Sequence, residues 1–335
     1  MAEPTLALLV IVIAIAITFD FFNGIHDAGN AIATVVSTRV LSPLVAVLMA
    51  AGMNFLGALS GTAVAKVVGA GIVSPEGITL LTVAAGVSAA ILWEFITLRL
   101  GIPVSGSHAL VSGVAGAGVA TGGLHVLIAH GINKVLLGLA LAPVIGFVVG
   151  YILMLAMYWI FRKASPGLIS GIFGKLQIVS AAAMAYSHGS NDAQKTMGII
   201  TLALAVYYNW AERGIAFEVP FAVIILSAVV MAVGTYFGGW RIVRTLGVRI
   251  VQMRPIQGFA AESSAAAVIE SASRFGFPLS TTHVISSTIM GQGATVRFSA
   301  VRWGVARRIA AAWLFTFPFC GFLGWLLMKV LDIAL

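Results

Sequence analysis

Gly24-Ile25-His26-Asp27-Ala28-Gly29-Asn30 recurs 165 residues later as Gly189-Ser190-Asn191-Asp192-Ala193-Gln194-Lys195, and this pair decides the fold. A second stretch, Gly101-Ile102-Pro103-Val104-Ser105-Gly106-Ser107-His108, recurs 175 residues later as Gly276-Phe277-Pro278-Leu279-Ser280-Thr281-Thr282-His283. The order of the two motifs is kept, so a unit of about half the chain is duplicated. Both motifs set polar groups inside apolar sequence. Duplicated units with polar interruptions are how secondary transporters assemble a substrate site.

Composition places the chain in a bilayer. Of 335 residues 60% are hydrophobic and 9% charged, with a mean hydropathy of +1.06. A soluble domain carries about 25% charged residues, so this chain cannot cover itself with polar surface. The net charge of +8 and pI near 10.0 do not mark a nucleic-acid binder. The basic residues are scattered over short connections and form no single face. Cys320, alone in an apolar run, reads as a small buried hydrophobe. Met1-Ala2-Glu3-Pro4 lacks the basic start of a cleavable signal peptide, so the apolar stretch behind it is expected to stay as a membrane helix.

Ten spanning segments are expected at 5–38, 43–66, 78–99, 103–122, 135–161, 176–207, 218–240, 255–274, 278–296 and 309–331, the first broken near Asn23 and the sixth near Gly189. With the N-terminus outside, the loops carrying Arg39, Arg99, Arg162, Lys163 and Lys175 fall inside. So do those carrying Arg241, Arg244, Arg249, Arg254, Arg297, Arg302, Arg307 and Arg308. Outside loops hold Glu76, His125, His130, Glu212, Arg213 and Glu218. An odd number of spans per half puts the halves in opposite orientations. The parity is unchanged if the turns at Gly101–Pro103 and Gly276–Pro278 are re-entrant tips. The expected fold is therefore an all-α integral membrane protein of about 10–12 helices in two inverted-topology repeats, 1–163 and 164–335, with broken or re-entrant helices.

Asp27 and Asp192 are the first candidates for a coupling cation or proton, because a carboxylate in a membrane segment costs about 2.5–3.5 kcal/mol on insertion scales. Each follows a glycine by three positions, which predicts local unwinding and free backbone groups. Ser105, Gly106 and Ser107, with Ser280, Thr281 and Thr282, follow a proline that suits a first helical turn. Hydroxyls and amides at a helix start suit a tetrahedral oxyanion. The plainer reading is N-capping. His26, beside Asp27, is a proton or cation relay candidate, and Asn23 joins it on the cation side. His108, His188 and His283 read as packed residues, and the six histidines have no zinc-site spacing, so no permanent metal is expected. Lys195 either pairs with Asp192 or meets an anion. Glu262 is the best third carboxylate, Asp20 ranks below Asp27, and Glu94 with Arg99 reads as a residue snorkelling to the surface. An intramembrane hydrolase is disfavoured, since neither Gly-x-Gly-Asp nor Gly-x-Ser-Gly occurs and an enzyme needs no inverted duplicate; no enzymatic activity or cofactor is expected.

At these motifs the chain resembles the inorganic phosphate transporter (PiT) family, from about Phe19 to the last helix and including Asn54-Phe55-Leu56-Gly57. The resemblance implies an inverted-repeat transporter of the cell membrane, both termini outside, often dimeric, that imports inorganic phosphate with a cation. By carry-over, Asp27, Asp192 and Glu262 match the coupling-cation positions. Ser105, Ser107, Ser280, Thr281 and Thr282, with Asn30, Asn191 and Gln194, match the phosphate-binding region. His26 and Asn54, where sodium-coupled relatives carry Asn and Glu, look more like the bacterial low-affinity branch, which couples to protons and accepts neutral metal-phosphate complexes.

Overall fold

A computed structural model describes residues 5–334. Met1 to Pro4 and Leu335 lie outside it, and the expected placement of both termini falls partly on them. Among the described residues there are twelve α-helices. They are α1 (Leu6–Ser37), α2 (Pro43–Ala58), α3 (Ala63–Ala70), α4 (Leu80–Leu100), α5 (Gly106–Gly122) and α6 (Ala129–Ile160), then α7 (Pro166–Tyr207), α8 (Phe221–Phe237), α9 (Trp240–Arg244), α10 (Pro255–Arg274), α11 (Thr281–Ala294) and α12 (Trp303–Ala334).

The order repeats in the two halves. Each has a long helix, a bent pair, a hairpin and a long helix with an internal proline, Pro143 in α6 and Pro318 in α12. The protein is inside out relative to a soluble one. Leu137, Leu141, Val144, Val148 and Ile152 line the outer face of α6 at helical spacing, while Asp20 and Asp27 of α1 and Asp192 and Lys195 of α7 are buried. Among the described residues five helices are long and apolar enough to cross a membrane, seven if each bent pair counts as one span. At 14 residues α11 reaches only about 21 Å, against a hydrocarbon core of about 30 Å. It and α5 are hairpin arms rather than full spans.

Two sequence expectations are corrected. Neither α1 near Asn23 nor α7 near Gly189 is broken; both run as continuous helix through their motifs. The breaks lie elsewhere. The expected span 43–66 bends by 74° between α2 and α3, and 218–240 bends by 61° between α8 and α9. The motif glycines serve contact instead of unwinding. A Cβ on Gly24 would come 2.8 Å from the Met231 carbonyl oxygen, and one on Gly189 would overlap the backbone of Asn54. Close helix packing through small residues replaces the missing hydrophobic drive between helices in lipid.

The halves interlock. α6 packs along α11 of the other repeat, and α12 along α5. Glycines permit both crossings, Gly150 meeting Thr288 and Gly116 meeting Gly321. The hairpin turns are built alike. Gly101 (φ +68°) and Gly276 (φ +67°) end α4 and α10 in the left-handed conformation, which glycine takes without the Cβ penalty. Ser105 and Ser280 then cap α5 and α11, accepting from the amides of His108 and His283 at 3.2 Å each. The first turn is tied to α12 by Trp313, whose indole N–H donates to the Pro103 carbonyl at 3.0 Å. Trp313→Phe is expected to cost about 1 kcal/mol, the usual net value of such a bond, read as a lower melting temperature in detergent; an unchanged melt removes the tie from the account.

Candidate functional site

α1 carries Asp20, Asn23, Asp27, Asn30 and Thr34 on one buried face, at the three- and four-residue spacing that aligns side chains along a helix. α7 carries His188, Asp192 and Lys195 the same way. The start of α11 enters between them. Thr282 Oγ1 donates to Asp27 Oδ1 at 3.2 Å, and Thr281 Oγ1 donates to Asp192 Oδ2 at 2.8 Å. Asn30 Nδ2 donates to Thr282 Oγ1 at 2.9 Å and to Thr281 Oγ1 at 3.3 Å. The His26 Nδ1 lies 2.8 Å from Asp27 Oδ1, and the His188 Nε2 lies 2.9 Å from Asp192 Oδ2. Lys195 pairs with Asp192 Oδ1 and donates to the Leu279 carbonyl at 3.3 Å. Ser107, at the tip of the other hairpin, donates to the same carbonyl at 3.4 Å. Both motifs of both repeats thus meet at one centre.

Asp27, His188 and Asp192 each offer a ligand atom, and the three atoms lie within 4.8 Å of one another, close enough to hold a metal ion. His188, read from sequence as a packed residue, is therefore part of the site; its i, i+4 spacing to Asp192 was the signal that could have found it. Its other nitrogen, Nδ1, is held 3.0 Å from Asn54 Oδ1, and Asn54 in turn donates to Thr235 at 2.7 Å. Such support from a second layer fixes a ligand's orientation.

Other expected residues fall outside the centre. Glu262 accepts from Thr34, from Ser180 and from Gln177 Nε2 (3.2 Å), a buried clasp on α10. Thr34 is seven residues beyond Asp27, about 10 Å along α1 at the helical rise per residue, so Glu262 does not join the aspartates. Gln194 caps α3, its Oε1 accepting from Val64 N at 2.8 Å. Asn191 donates to Ser273 at 2.8 Å, and Ser105 and Ser280 keep to their capping roles. Glu94 is not at the surface. It is fully buried beside Asn23 and Gly106.

The charge balance of this interior is lopsided. Asp20, Asp27, Glu94, Asp192 and Glu262 are all at most 3% exposed, and Lys195 is the one buried basic lysine or arginine among the described residues. Buried carboxylates without a partner are costly, and Glu94 is one, both of its oxygens lacking a hydrogen bond.

Fold and site together define a multi-pass membrane transporter built on an inverted repeat. The chain belongs to the Phosphate transporter family, whose model matches residues 23–171 and again 164–324, once per repeat. It is 46% identical over 319 residues to the "Probable low-affinity inorganic phosphate transporter" of Rhizobium meliloti (strain 1021), covering 94% of this chain and 95% of that one. A Bacillus subtilis (strain 168) protein of the same description is 41% identical, with 98% of each chain covered. A solved structure described as "The sodium-dependent phosphate transporter" has the same fold, with a TM-score of 0.89 over 98% of this chain and all of the other, at 22% identity. All three are described as transporters.

Proposed function

We propose that the protein is a cation-coupled symporter that brings inorganic phosphate into the cell by alternating access. The observation that carries this reading is the convergence of Asp27 and Asp192 with Thr281, Thr282 and Asn30 across the repeat interface. Phosphate binds at the start of α11, taking hydroxyl donors from Thr281 and Thr282, the amide of Asn30 and the ammonium of Lys195, while Asn191 stays turned to Ser273. Ser107 and the start of α5 face it from the other hairpin, with Ser105, Gly106, Ser280 and Gln194 shaping the surroundings.

The hydrogen bonds suggest how the cation and the anion are coupled. Thr281 and Thr282 now donate to the aspartates. A proton or metal ion on Asp27 and Asp192 weakens those acceptors and frees both hydroxyls for the phosphate oxygens. The same positive charge lowers the barrier to bringing in an anion. Cation binding therefore precedes tight phosphate binding. Thr282→Val is expected to raise the half-saturating phosphate concentration roughly tenfold, since a hydrogen bond to a charged group is worth about 1.5–3 kcal/mol. A saturation curve of labelled uptake checks this.

Protons are the coupling ion in the first reading, supported by His26 against Asp27 and by the resemblance of His26 and Asn54 to the low-affinity branch. Sodium is the second, favoured by the sodium-dependent neighbour of the same fold. The ligand set of Asp27, His188 and Asp192 also suits the divalent ion of a metal-phosphate complex, and uptake that requires magnesium would mark that form. The units 1–163 and 164–335 rock about the centre, in the cell membrane, with the arginine-rich loops facing the cytoplasm and both termini outside.

Labelled phosphate uptake into proteoliposomes tests the reading, first at fixed pH with and without sodium, then across pH without it. Uptake no greater than in empty vesicles under either gradient ends the proposal.

A further inference from the structure

Glu94 is buried more completely than its surroundings support. It is 0% exposed, and neither carboxylate oxygen has a hydrogen-bond partner. One helix away, Asn23 is 2% exposed and its Oδ1 is also without a partner. The two aim at one place, since a Cβ on Gly106 would overlap both Asn23 Oδ1 and Glu94 Oε1. Asp20, one turn before Asn23 on the same face of α1, leaves its Oδ2 unpartnered as well, while Oδ1 accepts from Thr196 at 2.9 Å. Unpartnered acceptor oxygens gather here, with the amide nitrogen of Asn23 beside them. Buried groups of this kind are ordinarily satisfied, and the ligand missing from such a set is a cation.

Donor chemistry selects the ion. Two carboxylate oxygens and an amide oxygen, the groups left unpartnered here, suit a hard cation. The central trio differs, because His188 adds an imidazole to the two aspartates. The two hairpins give a second, independent line. Thr97 of α4 contacts His26 of α1 at 3.3 Å, and Ser273 of α10 contacts Asn191 of α7 at 2.8 Å. His26 and Asn191 are counterparts under the 165-residue offset. Three residues before each contact stand Glu94 and Glu270, one position out of register under the 175-residue offset, so each hairpin carries an acid at about the same level. Glu270 lines a cavity of about 320 Å³ with Ser190, Ser273 and Arg274, and its carboxylate is satisfied by Ser190 and Arg274. Its mate Glu94 is sealed and unsatisfied.

We propose that Glu94 and Asn23, at the start of α5, form a sodium site distinct from the Asp27–His188–Asp192 centre. As a coupling site it rests on the cation-driven transport reading and sharpens its sodium branch. In the inverted repeat, the sealed Glu94 side and the open Glu270 side are what one state of an alternating cycle presents.

Purified protein in detergent, free of phosphate, is melted across a sodium chloride series balanced with choline chloride at fixed pH. Sodium is expected to raise the wild-type melting temperature by several degrees, as a ligand bound only by the folded state does. Glu94→Gln, which keeps the shape, and Asn23→Leu, which removes the amide oxygen, should each abolish most of that rise. The melt in choline alone reports whether each variant is folded, and Asn23→Leu carries the test should Glu94→Gln fail to fold. No sodium response in the wild type overturns the proposal. So does a response kept by both variants, or one lost in Asp27→Asn while Glu94→Gln retains it, which would put the ion at the central trio. The readout contains no phosphate, so a failure of phosphate uptake in vesicles is a separate result.

Discussion

Asp192→Asn is expected to lower phosphate uptake in proteoliposomes roughly a hundredfold, equivalent to about 2.7 kcal/mol at 1.36 kcal/mol per factor of ten. The side chain keeps its size, so the effect is one of charge. Asp192 receives Thr281, faces His188 and pairs with Lys195. Without its charge the cation centre loses one of its two carboxylates. Lys195, 2% exposed, is left with only the Leu279 carbonyl, and removing one partner of a buried ion pair costs about 3–5 kcal/mol. Stability and transport therefore fall together, and a second variant separates them. Asp192→Asn combined with Lys195→Met removes the stranded ammonium and should melt higher than the single variant while remaining inactive. An Asp192→Asn protein that keeps a tenth or more of wild-type uptake would remove the aspartate from the centre of the mechanism.

Gly189→Val is expected to leave little folded protein. α7 is regular helix at this position, so the backbone itself would accept a larger residue, and glycine there costs about 1 kcal/mol relative to alanine. Contact is what forbids it. A Cβ would overlap the Asn54 backbone, and on the facing helix a Cβ on Gly57 would overlap the Tyr186 carbonyl and come 2.9 Å from Ser190 N. Both clashes are with backbone, which cannot swing aside as a side chain can. Overpacking costs about 1–3 kcal/mol where a core can adjust, and here α2 and α7 must separate, taking the Asn54–His188 contact with them. Gly171→Val on the same helix, where a Cβ meets nothing within 4 Å, is the control and should melt like the wild type. Size-exclusion profiles of fluorescently tagged variants decide it, and a monodisperse, normally melting Gly189→Val protein refutes the contact argument.

These two sites also mark where reading the chain succeeds and where it stops. The duplicated motifs were legible because their residue types do not belong in apolar helices, and their convergence followed from the inverted repeat. The role of Gly189 could not be read, since glycine serves an unwound turn and a close crossing equally well. Only the position of Asn54 on α2, more than a hundred residues away in sequence, distinguishes them.

The carboxylates show the same division. Local sequence puts Glu94 at the surface, because of Arg99, and Glu262 in the site, and neither signal reports what faces each acid. Periodicity assigns a side chain to a face of its own helix but says nothing of what the facing helix offers. Glu262 meets three donors from α1 and α7, while Glu94 meets the bare start of α5 and another acceptor. The amino-acid order by itself determined a membrane protein, its doubling and the motifs, including Asp27, Asp192, Thr281 and Thr282, that meet at one centre. Tertiary structure decided which acids share a centre, where the helices bend and how the repeats interlock, because those depend on distances between segments far apart along the chain.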